Sequence, residues 1–174
     1  PHLMIIGGSP GQLTGLNWLL GLLSELGIAQ DLFVPESTQA AVPWLKAQAL
    51  PEPGKLGGGG LQQSLIDSQA VVAGIGLHMS STAQIGLEKL LLGLDQPTLV
   101  TDEIIPLYKT NPQLLDLSYL VPLLSMPQLI KLLGISQTGV KLAPDRGIYN
   151  VGNLLASLPT GAPLVLTYDS QRLY

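Results

Sequence analysis

The stretch Leu3-Met4-Ile5-Ile6-Gly7-Gly8-Ser9-Pro10-Gly11 decides how this chain is read. Four apolar residues in a row, ended by glycines, read as a buried strand. The glycine-rich turn behind them feeds a leucine-rich segment from Leu13. Strand, small-residue turn and helix in that order let backbone amides gather around an anion at a helix N-terminus. The turn is not a P-loop, since the GxxxxGK[ST] spacing and its lysine are absent, and it lacks the full GxGxxG of a dinucleotide fingerprint. Gly7 to Gly11 also fits G-x-S-x-G, the nucleophile elbow of serine hydrolases. In that elbow the residue after the serine lends a backbone N–H to the oxyanion hole, and Pro10 has none. A triad further needs a histidine late in the chain, whereas the two histidines are His2 and His78. Acyl-transfer chemistry is set aside on both counts.

Outward from that turn, Leu13, Leu16, Leu19, Leu20, Leu23 and Leu26 recur at three- and four-residue steps, a helical period closed by Gly27. A strand is expected at Asp31 to Val34 and a helix from about Ser37 to Ala49, ending before Pro51-Glu52-Pro53-Gly54. Gly57 to Gly60 reads as a loop tip. Ala70 to Gly76 forms a second strand-plus-glycine unit, and a helix from about Ser80 to Leu92 follows. Further strands are expected at Pro97 to Thr101, Tyr119 to Pro122 and Leu164 to Thr167, with helices around Ile104 to Tyr108, Pro127 to Leu133 and Tyr149 to Leu158. Short apolar strands alternating with helices predict an α/β fold of three layers, α/β/α, around a mostly parallel sheet. In such folds ligands bind beyond the carboxyl ends of the strands. Gly7 to Gly11, Gly74 to His78, Thr101 to Glu103 and Ser125 are all expected at that edge.

Composition narrows the function. At 174 residues, a single domain covering 1–174 is expected. It opens on Pro1 and stops at Tyr174 inside an apparent hairpin, so an incomplete or shortened domain is expected. A hydrophobic share of 46% against 11% charged residues suggests much buried sheet or a subunit interface. The formal charge of -4, with eight scattered Lys and Arg, argues against a nucleic-acid partner. Cysteine is absent, so neither a disulfide framework nor a thiolate metal site exists. No segment reads as a membrane span, because the longest apolar stretch is broken by Asn17, Ser24 and Glu25. A cytoplasmic location is the default.

With these edges in order, the chain resembles the ADP/ATP-dependent NAD(P)H-hydrate dehydratases of the ribokinase-like, carbohydrate-kinase-related superfamily, enzymes of nicotinamide-nucleotide repair. The opening Ile-Gly-Gly-Ser-Pro-Gly through Thr14-Gly15 looks like that family's first substrate loop. Val71 to Leu77 looks like its VVIGPGLG turn, Thr98 to Ile105 falls where it has VLDADAL, and Leu123 to Gly134 aligns with its TPHPGEFARLLG segment. The resemblance implies a Rossmann-like fold, ATP or ADP with Mg²⁺, the hydrated dinucleotides NADHX or NADPHX as substrate, and a homo-oligomer. It implies substrate contacts at Gly7, Gly8, Ser9, Gly11, Thr14, Glu103 and Ser125, and nucleotide contacts at Gly74, Gly76 and Thr167. The departures are as definite. Ile75 replaces a proline and His78 a glycine in the second turn. Thr101 and Glu103 replace two aspartates, Ser125 and Gln128 replace the histidine and glutamate of HPGE, and Thr167 replaces a lysine. The GSGD segment, which carries the family's anion hole and catalytic aspartate, has no counterpart before Tyr174. Loss of an oriented base and its donors predicts ligand binding better than turnover. A non-catalytic nucleotide-binding or assembly relative, and a small-molecule kinase of the same superfamily, are the rival readings.

The bland roles are equally definite. Ser9 serves either as a turn hydroxyl or as a ligand contact, and Gly74 and Gly76 either permit a tight turn or line a site. Of Asp102 and Glu103, neighbours that diverge on any regular element, one caps a helix or faces the pocket. His78 reads as a surface turn residue, and Trp18 and Trp44 as packing residues on helical faces.

Overall fold

A computed structural model describes residues 1–50, 59–78, 80–125, 128 and 166–168. The opening apolar run forms β1 (His2–Ile6), in which Met4, Ile5 and Ile6 are fully buried. Burial on both faces of one strand requires cover on both sides of the sheet, and the chain supplies it. The strands that follow are β2 (Ala29–Val34), β3 (Gln48–Ala49), β4 (Ala70–Ala73), β5 (Thr98–Val100), β6 (Leu120–Ser125) and β7 (Leu166–Tyr168). They lie in the order β3-β2-β1-β4-β5-β6-β7, and each pairing is parallel.

Alternation along the strands divides the interior into two cores. Ile5, Leu32 and Val34 face Leu16 and Leu23 of α1 (Thr14–Glu25). Met4, Ile6, Phe33, Val71, Ala73 and Val100 face the opposite way. There they meet Leu61 of α3 (Gly59–Asp67), Leu87 and Leu91 of α4 (Ser81–Leu92), and Leu107 and Tyr108 of α5 (Ile105–Thr110). The molecule is thus a three-layer α/β/α, Rossmann-like fold, as expected.

Four local expectations need correction. The helix expected to reach Ala49 stops at Ala41, so α2 is Glu36–Ala41. Val42 leaves the helical region at φ −134° because Pro43 follows it, and a residue before proline is pushed towards extended backbone. The freed chain contributes the short β3 instead. The glycine tract read as a loop tip opens α3 at Gly59 and Gly60; Gly57 and Gly58 lie outside the described residues. Leu61 and Ser64, three apart and buried, give that helix its inner face, and the buried Ser68 follows its last residue. β6 continues past Pro122 to Ser125, alternating buried and half-buried positions. Finally, a 3-10 turn (Asp102–Ile104) precedes α5, and a second (Pro112–Asp116) follows it, capped where the Asn111 side-chain oxygen accepts from the Gln113 N–H. The helices expected at 127–133 and 149–158 lie outside the described residues, apart from Gln128.

Candidate functional site

The strand order reverses between β1 and β4, which are direct neighbours. In open parallel sheets the chains leave such a point in opposite directions and open a crevice at the carboxyl rim. The turn after β1 and the turn after β4 therefore meet on one rim. Gly7, Gly8 and Ser9 of the first lie against Ile75, Gly76 and His78 of the second.

How they meet decides what the rim can offer. The Gly8 N–H donates to the Ile75 carbonyl (2.8 Å) and the Ser9 N–H to the Gly76 carbonyl (2.7 Å). The Ser9 side chain, only 3% exposed, completes the join. Its hydroxyl accepts from the His78 N–H (2.5 Å) and donates to the His78 carbonyl (3.1 Å). The Gly7 N–H donates to Phe33 (3.1 Å), and the Thr38 hydroxyl donates to the Gly8 carbonyl (2.9 Å). The expected cradle of free amides is thus in large part a staple between two turns. Glycine is required in it: Gly76 sits at φ +63°, and a Cβ there would collide with the Gln12 carbonyl oxygen. At Gly74 a Cβ would stand 2.5 Å from the Thr101 hydroxyl.

The third turn of the rim follows β5. Here Glu103, half-buried, accepts from the Gly76 N–H at Oε1 (3.1 Å) and from the Thr101 hydroxyl at Oε2 (2.7 Å). The carboxylate stands where an anion would sit against the second glycine turn. Beside it opens a cleft of about 400 Å³, bounded by Gly15, Trp18 and Leu19 of α1, Val72 of β4, Ile75, Leu99 of β5, Thr101, Glu103 and Leu123 of β6. Val72 and Leu99 pair across β4 and β5, and Ile5 pairs with Val72, so the floor of the cleft is the sheet face that α1 covers. Its walls are mostly apolar, and Glu103 is the one charged side chain among the described residues lining it.

The remaining expected contacts are spread along this rim. Gly11 (φ +80°) is exposed with open space around it, and Thr14 is the exposed first residue of α1. Ser125 ends β6, paired with Tyr168, and Thr167 pairs with Leu124, so both stand strands away from the two stapled turns. His78 has an exposed side chain and contributes through its backbone. Sequence reasoning missed the cleft wall. Trp18 is 71% exposed and Trp44 69% exposed, so neither is the packing residue expected. Trp18 lies off the buried Leu16–Leu23 stripe of α1, and the spacing Gly15, Trp18, Leu22 marks a second stripe that could have revealed it.

No protein-family model matches the chain, and no curated protein matches it. Among solved structures, the crystal structure of hypothetic protein SMU.573 from Streptococcus mutans is similar, with a TM-score of 0.62 at 14% identity. The match covers 99% of this chain and 63% of that one, so the chain spans less than two thirds of that structure's length. At that identity the likeness is one of fold. No helix among the described residues is long and apolar enough to cross a membrane.

Proposed function

We propose that this chain is a nucleotide-binding α/β domain related to the NAD(P)H-hydrate dehydratases, holding its ligand at the carboxyl rim where the strand order reverses. The observation that carries the reading is a cleft at this rim, bounded by α1 and by the turns after β4 and β5, with the turn after β1 stapled to the first of them. These are the same turns that carry the sequence resemblance. The proposed ligand is a hydrated or intact nicotinamide dinucleotide, or an adenine nucleotide, in a cytoplasmic protein. Self-association belongs to the same proposal: Leu22 and Leu26 continue the exposed stripe of α1 away from the rim.

Catalysis by phosphoryl transfer has less support. The described rim residues do not fit ATP or ADP with Mg²⁺. Phosphates need free donors or cations, yet the Gly8, Ser9, Gly76 and His78 amides donate within the protein. No three His, Asp or Glu side chains gather around a common point among the described residues. Mg²⁺ asks for fewer protein ligands than that, but Glu103 is the one carboxylate among the described residues lining the cleft, and the Gly76 amide beside it is not free to hold a phosphate. This observation favours, as the second reading, a relative that binds without turnover.

Incubating the protein with NADHX, ATP and Mg²⁺ while following the hydrate's absorbance separates the two. ATP-dependent loss of the hydrate supports the dehydratase. Saturable calorimetric binding of ADP or NADH without conversion supports the binder, and absence of both removes the nucleotide reading altogether.

A further inference from the structure

The charge and shape of the cleft say which end of a nucleotide it takes. A phosphate brought beside Glu103 meets a carboxylate at close range, with no lysine or arginine among the described lining residues to offset it. A hydrogen-bond donor meets the reverse. The Gly76 N–H and Thr101 hydroxyl occupy two of about four lone-pair positions on an ionised carboxylate, leaving acceptor capacity at a group that lines the cleft. Among the other lining residues, Trp18 is 71% exposed, and Leu19, Val72, Ile75, Leu99 and Leu123 offer apolar contact. An aromatic platform, an apolar floor and a single fixed acceptor suit a flat ring that carries an N–H donor.

We propose that the cleft between α1 and the ends of β4, β5 and β6 is a heterocycle subsite, in which a planar nitrogen ring stacks on Trp18 and donates an amine or amide N–H to Glu103. The inference rests on the nucleotide reading above and deepens it: the ring enters the cleft and the phosphates stay outside. Two nucleosides share this chemistry, one through the exocyclic amine of adenine and one through the carboxamide of nicotinamide. The cationic ring of the second gains further from the carboxylate.

Because the chain has two tryptophans, Trp44→Phe leaves Trp18 as the sole indole reporter. In that background we expect adenosine or nicotinamide riboside to quench Trp18 emission saturably, while ribose 5-phosphate and inorganic phosphate do not. Glu103→Gln keeps an oxygen for the Gly76 N–H but removes the charge, and weakens the ring probe about 10-fold. Trp18→Ala, read by calorimetry, weakens it by a similar factor. The arm that binds more tightly identifies the ring. Nucleoside binding seen by calorimetry with unchanged Trp18 emission would overturn the subsite and leave the nucleotide reading standing. Quenching by phosphate or ribose 5-phosphate alone would overturn it too. If neither nucleosides nor whole nucleotides bind, both readings fall.

Discussion

Replacing Gly76 by alanine tests the joined rim most sharply when it is set beside the same change at Gly11. Both glycines have left-handed backbones, φ +63° and φ +80°, where an L side chain costs about 1–2 kcal/mol. Both substitutions also stiffen the unfolded chain equally, so that contribution cancels in the comparison. The surroundings differ. Nothing lies within 4 Å of a Cβ at Gly11, whereas at Gly76 it strikes the backbone carbonyl of Gln12. Backbone cannot rotate aside as a side-chain tip does, so one turn must shift. That shift strains the bonds that fix Gly76, from the Ser9 N–H to its carbonyl (2.7 Å) and from its N–H to Glu103 (3.1 Å). At about 1 kcal/mol for each bond lost, Gly76→Ala totals about 3–4 kcal/mol against about 1–2 kcal/mol for Gly11→Ala. With a urea slope of about 2 kcal/mol/M, the midpoint falls by roughly 1.5–2 M in the first case and roughly 0.5–1 M in the second. Equal losses at the two sites would refute the close approach of the two turns.

Three other outcomes follow from the same contacts. Ser9→Ala removes the hydroxyl that both accepts from and donates to His78; we expect a loss of about 1–3 kcal/mol with faster exchange of the His78 amide, and unchanged exchange would deny the join. Tyr108 is fully buried, and its hydroxyl has no partner among the described residues, so Tyr108→Phe is expected to stabilise by about 1 kcal/mol at neutral pH in thermal or urea unfolding. A loss of that size would instead reveal a partner. The pH dependence follows from the same burial, which pushes the Tyr108 phenol above its ordinary 10.0. Above pH 10 the unfolded chain releases this proton while the folded one keeps it, so stability falls as pH rises, and Tyr108→Phe should flatten that decline. An alkaline decline unaltered by the substitution would place its origin elsewhere.

The parts of the fold legible in the sequence are those whose cause is local. The run Leu3 to Ile6 followed by glycines announces a buried strand and its turn, and the leucine period from Leu13 announces α1. Where two local signals compete, the nearer one wins: Pro51 to Gly54 marks a stop for the second helix, but Pro43 restricts Val42 and ends α2 earlier. Gly57 to Gly60 reads as a loop tip by composition, yet burial of Leu61 and Ser64 draws Gly59 and Gly60 into α3 against their weak helix preference. The site was harder to read because its bonds are remote in sequence. Ser9 and His78 are 69 residues apart, and Gly76 and Glu103 are 27 apart. A glycine turn shows that amides are accessible but not which carbonyl or carboxylate has already claimed them. Trp18 misled for a related reason. A helix lying on a sheet buries one stripe, and period alone does not say which of two apolar stripes faces inward.

The decisive property is where a ligand sits. Titrating the isotope-labelled protein with adenosine and with nicotinamide riboside, while following amide and indole resonances, reads this directly. A ring seated in the cleft is expected to give the largest shifts at Gly15, the Trp18 indole, Ile75, Thr101 and Glu103. Saturable binding whose shifts lie elsewhere, with these five unmoved, would contradict that placement.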